Sequence, residues 1–173
     1  MAATFVWEEA NTSGQTITSS RTEVNWKNID DSTTAYSSSP ITAGNNSFDK
    51  WQYGKFSGTY NQILNGKWSH TATAFGTGLT LKGAPSGASQ LTFATPSTTA
   101  NSSLTVDMTS VTAIGSGTVV YFGATSANTA SKTSSTTANP AYTNYLTTQL
   151  QTTSSAAAGD TASVTITLSY DEN

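Results

Sequence analysis

The chain has no cysteine among its 173 residues. Without a thiol it cannot build a disulfide framework, a thiolate metal site or a cysteine nucleophile. A chain of this length can bury roughly two-thirds of the surface that it exposes when unfolded, so its core needs no such support. We therefore expect a single domain over residues 1–173 that is stabilised by packing.

Charged residues are also scarce. They make up 10% of the chain and leave a net charge of −3, with seven Lys and Arg scattered and no basic run. Binding to nucleic acid needs clustered cations. Residues 1–14 lack the features of a secretory signal, and no run approaches the roughly 18 apolar residues of a membrane span. The sequence therefore predicts a soluble protein with neither a nucleic-acid nor a membrane partner.

Residues that carry chemistry are few. His70 is the only histidine, which excludes a site with several imidazoles and leaves one residue for any Ser-His-Asp triad. The ten acidic residues show no spacing typical of paired glycosidase carboxylates. Asp30 and Asp31 could bind calcium, but their spacing matches no EF-hand loop, and solvated acids in a loop are commoner. We predict no enzymatic activity, no cofactor and no metal.

Serine and threonine make up roughly a third of the chain. Threonine is β-branched and favours strands. In residues 162–170 the apolar Val164, Ile166, Leu168 and Tyr170 alternate with serine and threonine, which predicts a strand with one buried and one exposed face. Residues 142–151 fit a strand or a short helix, and we prefer a strand that pairs with residues 162–170 in a terminal hairpin.

Similar short runs recur at intervals of roughly 8 to 12 residues, with glycine, asparagine and serine between them, and no long helix competes. This spacing predicts an all-β antiparallel sandwich or barrel. Asn65-Gly66 predicts a two-residue hairpin turn. Residues 30–46 and 124–140 are polar and predict loops, the second being an exposed loop or an arm that reaches a neighbour. The predicted runs are 4–8, 15–19, 23–29, 48–60, 63–75, 79–82, 91–94, 104–108 and 118–122.

Aromatic residues are concentrated between residues 51 and 75. On a strand, Trp51 and Tyr53 point the same way, and Phe56 points the opposite way unless Gly54 marks a bulge. With Trp68, these rings are interpreted as a buried or cross-strand ladder. The alternative is an exposed platform for sugar rings or for another subunit.

Three segments carry a resemblance. Residues 4–9 (TFVWEE), residues 40–50 (PITAGNNSFDK) and the ending from 149–151 through 170–172 resemble small structural proteins of tailed bacteriophages. The resemblance runs along the whole chain in short phrases. It implies a β-sandwich of the immunoglobulin-like or jelly-roll type that acts in a virion as a symmetric oligomer.

The resemblance also implies a function. The preferred role is a capsid decoration (cement) protein, assembled in the host cytoplasm, that binds the major capsid protein and stabilises the head. A neck, tail or baseplate subunit is the next reading. The candidate interface residues are Phe5, Trp7, Trp51, Tyr53 and Trp68.

Other classes stay open. A carbohydrate-binding adhesion module would share the sandwich fold and would bind glycans through coplanar exposed rings. A fibre or adhesin fragment would explain the abundance of serine and threonine, although no sequence repeat marks a fibrous shaft. An enzyme is the last alternative.

Overall fold

A computed structural model of the chain describes residues 2–71, 74–84, 91–109, 118–126, 132–157, 159 and 163–173. Within these residues the chain forms twelve β-strands and one short 3₁₀ helix, Tyr36–Ser38. The strands are β1 (Ala3–Asn11), β2 (Thr16–Ser19), β3 (Lys50–Gly58), β4 (Ile63–His70), β5 (Leu79–Ala84), β6 (Val106–Asp107), β7 (Thr118–Val119), β8 (Phe122–Gly123), β9 (Ser135–Thr136), β10 (Ala141–Thr143), β11 (Leu146–Thr152) and β12 (Ile166–Glu172).

The strands form two antiparallel sheets. The larger sheet has the order β2-β1-β3-β11-β5-β6, and β10 pairs with both β3 and β8. The smaller sheet has the order β12-β4-β7, and β9 also pairs with β4. The predicted all-β architecture of two packed antiparallel sheets is therefore confirmed.

The main core lies between the two sheets and takes side chains from both. Phe56 and Leu146 come from the larger sheet, and Ile63 and Trp68 come from the smaller one. From β12, the alternate residues Ile166, Leu168 and Tyr170 pack against this core. Thus the period-two pattern of residues 162–170 correctly predicted a strand with one face towards the core.

A second, smaller group of buried residues covers the other face of the larger sheet. It contains Ala10, Trp51, Tyr53 and Tyr145, with Leu91, Phe93 and Tyr142 packed against it, and we call it the outer cluster. The Phe93 ring lies 5.4 Å from the Trp51 ring. The larger sheet is therefore buried on both faces at this position, unlike a simple two-layer sandwich in which each sheet has one wet face.

The predicted terminal hairpin is wrong, and two of the predicted strands do not form. Residues 142–151 do form strands, but β11 lies between β3 and β5 in the larger sheet, whereas β12 pairs with β4 in the smaller one. No terminal hairpin forms, because the two strands belong to opposite layers. Residues 23–29 and 91–94 form no strand, and instead they lie over the two faces of the larger sheet, where Trp26 and Phe93 pack.

Asn65-Gly66 is not a hairpin turn either. Both residues lie inside β4, and Asn65 has a φ of 54°. The pairing with β12 runs from Lys67 opposite Ser169 to Leu64 opposite Asp171, so β4 carries one extra residue there. This is a β-bulge in which one residue, Asn65, has the positive φ that a type I′ turn also uses. A Cβ at Gly66 would lie 2.3 Å from the Phe122 ring, which explains the glycine.

Part of residues 124–140 lies outside the described residues. In the described part, Lys132 is buried and β9 pairs with β4, while most of the other residues are exposed. The exposed loop or arm stays a prediction. No helix in the described ranges has the length and apolar character needed to cross a lipid bilayer.

Candidate functional site

Three of the candidate interface residues are buried. Trp51, Tyr53 and Trp68 are each exposed by 2% or less. Trp51 and Tyr53 pack edge-on against Tyr145, with ring centroids 5.3 and 5.5 Å away. The platform interpretation is wrong for these three rings, because they are already covered by other parts of the same chain. The three rings are buried, but they form no single ladder, because Trp51 and Tyr53 lie in the outer cluster whereas Trp68 lies in the main core on the smaller sheet.

Phe5 and Trp7 are half-buried on β1 and face the core between the sheets. The Trp7 ring stacks on the Trp68 ring with centroids 5.0 Å apart. Phe5 lies over Gly54, where an added Cβ would come within 2.5 Å of its ring. The register between β1 and β3 is unbroken from Ala3 to Ala10, so Gly54 is a packing site and not a bulge. As expected without a bulge, Phe56 points to the face opposite Trp51 and Tyr53.

A groove of about 980 Å³ opens beside Trp7, and we call it the inter-sheet groove. Its apolar lining includes Trp26, Tyr36, Leu150 and Ile166. Trp26 is held in place because its Nε1 donates a hydrogen bond to Thr148 Oγ1 at 3.0 Å. Tyr36 lies on the short helix and is 49% exposed. The groove also has polar lining residues, among them Arg21, Glu23, Asn25 and Gln52.

A group of charged side chains adjoins this groove at Arg21, and we call it the charged cluster: Glu9, Arg21, Lys27, Asp31 and Lys50. Glu9, Lys27 and Lys50 are buried, whereas Arg21 and Asp31 are half-buried. Lys50 Nζ lies 3.4 Å from Glu9 Oε1, and both side chains are 1% exposed. Arg21 Nε lies 3.8 Å from Glu9 Oε2. Lys27 Nζ lies 2.6 Å from Asp31 Oδ1 and also donates to the Thr34 carbonyl. Buried charges are tolerated only when they are paired and hydrogen-bonded in this way.

The pKa values of the cluster follow from these contacts. Burial works to raise the pKa of Asp31, but hydrogen bonds from Lys27, Thr34 and Thr33 outweigh it and hold the pKa below its usual range. Burial lowers the pKa of Lys50, and this effect exceeds the opposing attraction of Glu9. Asp31 is therefore a stable carboxylate, whereas Lys50 is an amine that gives up its proton more easily than an exposed lysine does.

The strand register explains why these groups meet. Glu9 lies opposite Gln52 and Ala10 lies opposite Trp51. One step further along both strands brings Asn11 opposite Lys50, on the same face as Glu9. Sequence reasoning missed this arrangement. The available signal was the pair of adjacent acids Glu8-Glu9 in a strand that is mostly apolar. Carboxylates on a half-buried strand need cations from neighbouring segments.

The other candidates for chemistry are accounted for by simple contacts. His70 lies on β4 with its Nδ1 3.2 Å from the Thr71 carbonyl oxygen. Asp30 accepts hydrogen bonds from Asn11 Nδ2 at 3.0 Å and from the Thr12 N–H at 2.6 Å. Among the residues that the structure describes, no three His, Cys, Asp or Glu side chains are grouped to hold a metal ion. Asp30 therefore holds the loop against the end of β1, whereas the Asp31 carboxylate accepts hydrogen bonds from Lys27, Thr33 and Thr34 within its own loop.

Comparison of the chain with protein-family models, with curated proteins and with solved structures finds no match.

Proposed function

We propose that the chain is a non-enzymatic structural protein of a virion and that its preferred role is decoration of a phage capsid. The observation that carries this proposal is the edge strand β12. In the described part of the chain β12 pairs only with β4, so one side of its backbone ladder is open. An open edge can accept a strand from a neighbouring subunit through main-chain hydrogen bonds.

The edge carries little that would prevent such pairing. Proteins that remain monomeric protect their edge strands with lysine, proline or inward charges. Residues 166–170 of β12 contain none of these, and the acids Asp171 and Glu172 lie only at the end of the strand. The larger sheet has an edge strand of the same kind, β2, which reads Thr-Ile-Thr-Ser and has Ile17 exposed.

The composition supports the same role. With only 10% charged residues, identical copies can pack closely without strong repulsion. Serine and threonine on the outward faces can hydrogen-bond to neighbours or to water. An assembly protein of this kind gains its binding energy from repeated interfaces of ordinary size and requires no reactive group.

The test measures binding to empty capsid shells of the phage that carries the protein. We expect the wild-type protein to sediment with the shells at a ratio set by the capsid symmetry. A variant with Thr167→Lys and Ser169→Lys places two charges on the exposed face of β12 and should lose most of this binding. The matched control, Ser102→Lys with Ser103→Lys, adds the same charge at exposed positions outside both edge strands and should bind like wild type.

Two results would contradict the proposal. Wild-type protein that stays in the supernatant would exclude decoration and direct attention to the neck and tail. Equal binding by the β12 variant would show that the edge strand is not the contact. Circular dichroism of each variant confirms that the fold is retained.

A glycan-binding role is the second candidate, because the inter-sheet groove contains aromatic rings beside neutral polar groups. Sugars stack on such rings and hydrogen-bond to such groups. If the groove binds glycans, Tyr36→Ala should abolish a signal on a glycan array, whereas Val119→Ala, which removes an exposed apolar side chain outside the groove, should leave it intact. The absence of any glycan signal with wild-type protein would exclude this role.

A further inference from the structure

An amine, an amide and a carboxyl group are buried together within the charged cluster. Glu9 and Lys50 are 1% exposed and Asn11 is 3% exposed. One oxygen, Glu9 Oε1, lies 3.4 Å from Lys50 Nζ and 3.0 Å from Asn11 Nδ2. The carboxyl group of Glu9 therefore touches both the amine and the nitrogen of the amide.

The backbone holds these groups in reach of one another. The register of β1 against β3 ends with Ala10 opposite Trp51, and one step further along both strands it brings Asn11 and Lys50 to opposing positions, where Cβ atoms of antiparallel strands are roughly 4.5 to 5.5 Å apart. The lysine side chain is long enough to bring its nitrogen to the Asn11 amide carbon from that distance. Glu9 lies two residues before Asn11 on the same face of β1, so the carboxyl group is fixed beside both.

We propose that Lys50 and Asn11 join in an intramolecular isopeptide bond, with Glu9 as the group that transfers the proton. Lys50 Nζ forms a bond to Cγ of Asn11, and the bond between Cγ and Nδ2 breaks. Glu9 takes a proton from the lysine nitrogen and gives one to the departing Nδ2, which leaves as ammonia. The atoms balance without an oxidant, a metal or a second substrate.

The surroundings favour this exchange. Asn11 Nδ2 also donates to Asp30 Oδ1 at 3.0 Å, so two carboxyl groups receive the leaving nitrogen. Asn11 Oδ1 is buried and has no hydrogen-bond partner among the described residues. A buried acceptor left unpaired is unfavourable, so the unreacted amide is held in an unfavourable setting. Burial also favours the neutral, nucleophilic form of the Lys50 amine.

The other buried lysines lack this combination. Lys27 faces the carboxylate of Asp31, and an ionised carboxylate is a poor target for an amine. Lys132 donates to the backbone carbonyls of Thr125, Ser126 and Tyr142; Lys50 likewise donates to the Asp31 carbonyl at 3.0 Å, but it also contacts Glu9. Lys82 lies opposite the buried amide of Gln149, whose Nε2 donates to backbone carbonyls. In the described ranges Lys50 is the lysine that shares a carboxyl oxygen, Glu9 Oε1, with a buried side-chain amide.

The mass of the denatured protein tests the proposal directly. After incubation of the folded protein, we expect a mass below that of the sequence by one molecule of ammonia. Trypsin cleaves after Arg21, Lys27, Lys50 and Lys55, and it does not cleave at a linked lysine. The digest should therefore contain residues 1–21 joined to residues 28–55 in one branched peptide. Wild-type protein with its full mass and separate peptides would overturn the proposal.

The controls locate the reaction. Lys50→Met and Glu9→Gln should each restore the full mass expected for the variant, whereas Lys67→Met, at an exposed position on β4, should keep the deficit. Asn65-Gly66 could also lose ammonia by closing to a succinimide, and peptide mapping distinguishes that event. A deficit found at residues 65–66 with an intact Lys50 would overturn the proposal as firmly as a full mass.

Discussion

Strands β11 and β12 show two ways in which the same composition builds a strand. β12 alternates between half-buried and exposed residues, as an edge strand with one core face should. β11 reads Leu-Thr-Thr-Gln-Leu-Gln-Thr, and its first five residues are all buried although three of them are polar. The difference arises because β11 is central in a sheet that is covered on both faces, whereas β12 lies at the edge of the other sheet.

The polar residues of β11 are tolerated because they are hydrogen-bonded to the segments that cover the sheet. Gln149 Nε2 donates to the carbonyl oxygens of Ser47, Ser97 and Thr99 at 3.0 to 3.2 Å. Its Oε1 accepts from the Asn101 N–H at 3.0 Å. The side chain thus connects two loops to the central strand. In β11 the buried glutamine connects the sheet to its covering loops, whereas the polar side chains of β12 contact β4 and the start of β1, as in the hydrogen bond from the Ala3 N–H to Glu172 Oε2.

The largest expected contrast between the strands is in their leucines. Leu146→Ala removes a side chain with no exposed surface and should lower the free energy of unfolding by about 3 kcal/mol. Leu168→Ala on β12 removes a half-buried side chain and should cost about 1 kcal/mol, because the edge can relax around the gap. Urea denaturation of both variants measures the difference. Equal losses would show that the two strands are buried to the same extent.

The next contrast concerns glutamine. Gln149→Leu removes the hydrogen bonds of Gln149 to the carbonyl oxygens of Ser47, Ser97 and Thr99 and to the Asn101 N–H, and it should lower the free energy of unfolding by about 2 kcal/mol. Gln151→Leu, two residues along the same face but half-exposed, should change it by less than about 0.5 kcal/mol. Hydrogen exchange should show faster exchange of the Asn101 amide only in the Gln149 variant. Unchanged exchange there would mean that Gln149 does not hold the loop.

The smallest expected effect on stability concerns a buried cation, Lys132, in place of the buried amide of Gln149. Burial lowers the pKa of Lys132 to about 8. Between this value and the usual lysine pKa near 10.4, the unfolded chain binds more protons than the folded chain, so stability rises with pH. From pH 8.5 to 9.5 we expect this lysine to contribute a gain of about 1 kcal/mol, and Lys132→Met should remove it. Lys67→Met, on the exposed side of β4, should keep the wild-type slope, and equal slopes for wild type and Lys132→Met would contradict the prediction.

The fold class could be read from the sequence because edge strands with one wet face leave a period-two pattern, as in residues 166–170. The central strand β11 leaves no such pattern, since neither of its faces is wet and its threonines are buried. For the same reason the sequence of residues 142–151 predicted a strand correctly but did not predict which strand pairs with it. Asn65 was correctly identified as a residue with positive φ. A two-residue hairpin turn and a β-bulge can both contain such a residue, so only the pairing partner decides between them.

The candidate site could be predicted less well. Trp51, Tyr53 and Trp68 were identified as a cluster, but their burial depends on Tyr145 and Trp7, which lie far away along the chain. The charged cluster depends on the register of β1 against β3 and on the loop that carries Lys27 and Asp31. Long-range register and loop placement are not local properties, so spacing along the sequence does not reveal them.

The order of strands in the two sheets has a consequence for synthesis of the protein. β3 needs β11 as its neighbour, and β4 needs β12, so each sheet is completed by a strand made long after its partner. Pairing at such separation is slow because the loop must close before contacts form. A nascent chain that has reached only β5 therefore holds open strands on the ribosome, and it depends on protection from aggregation until the later strands emerge.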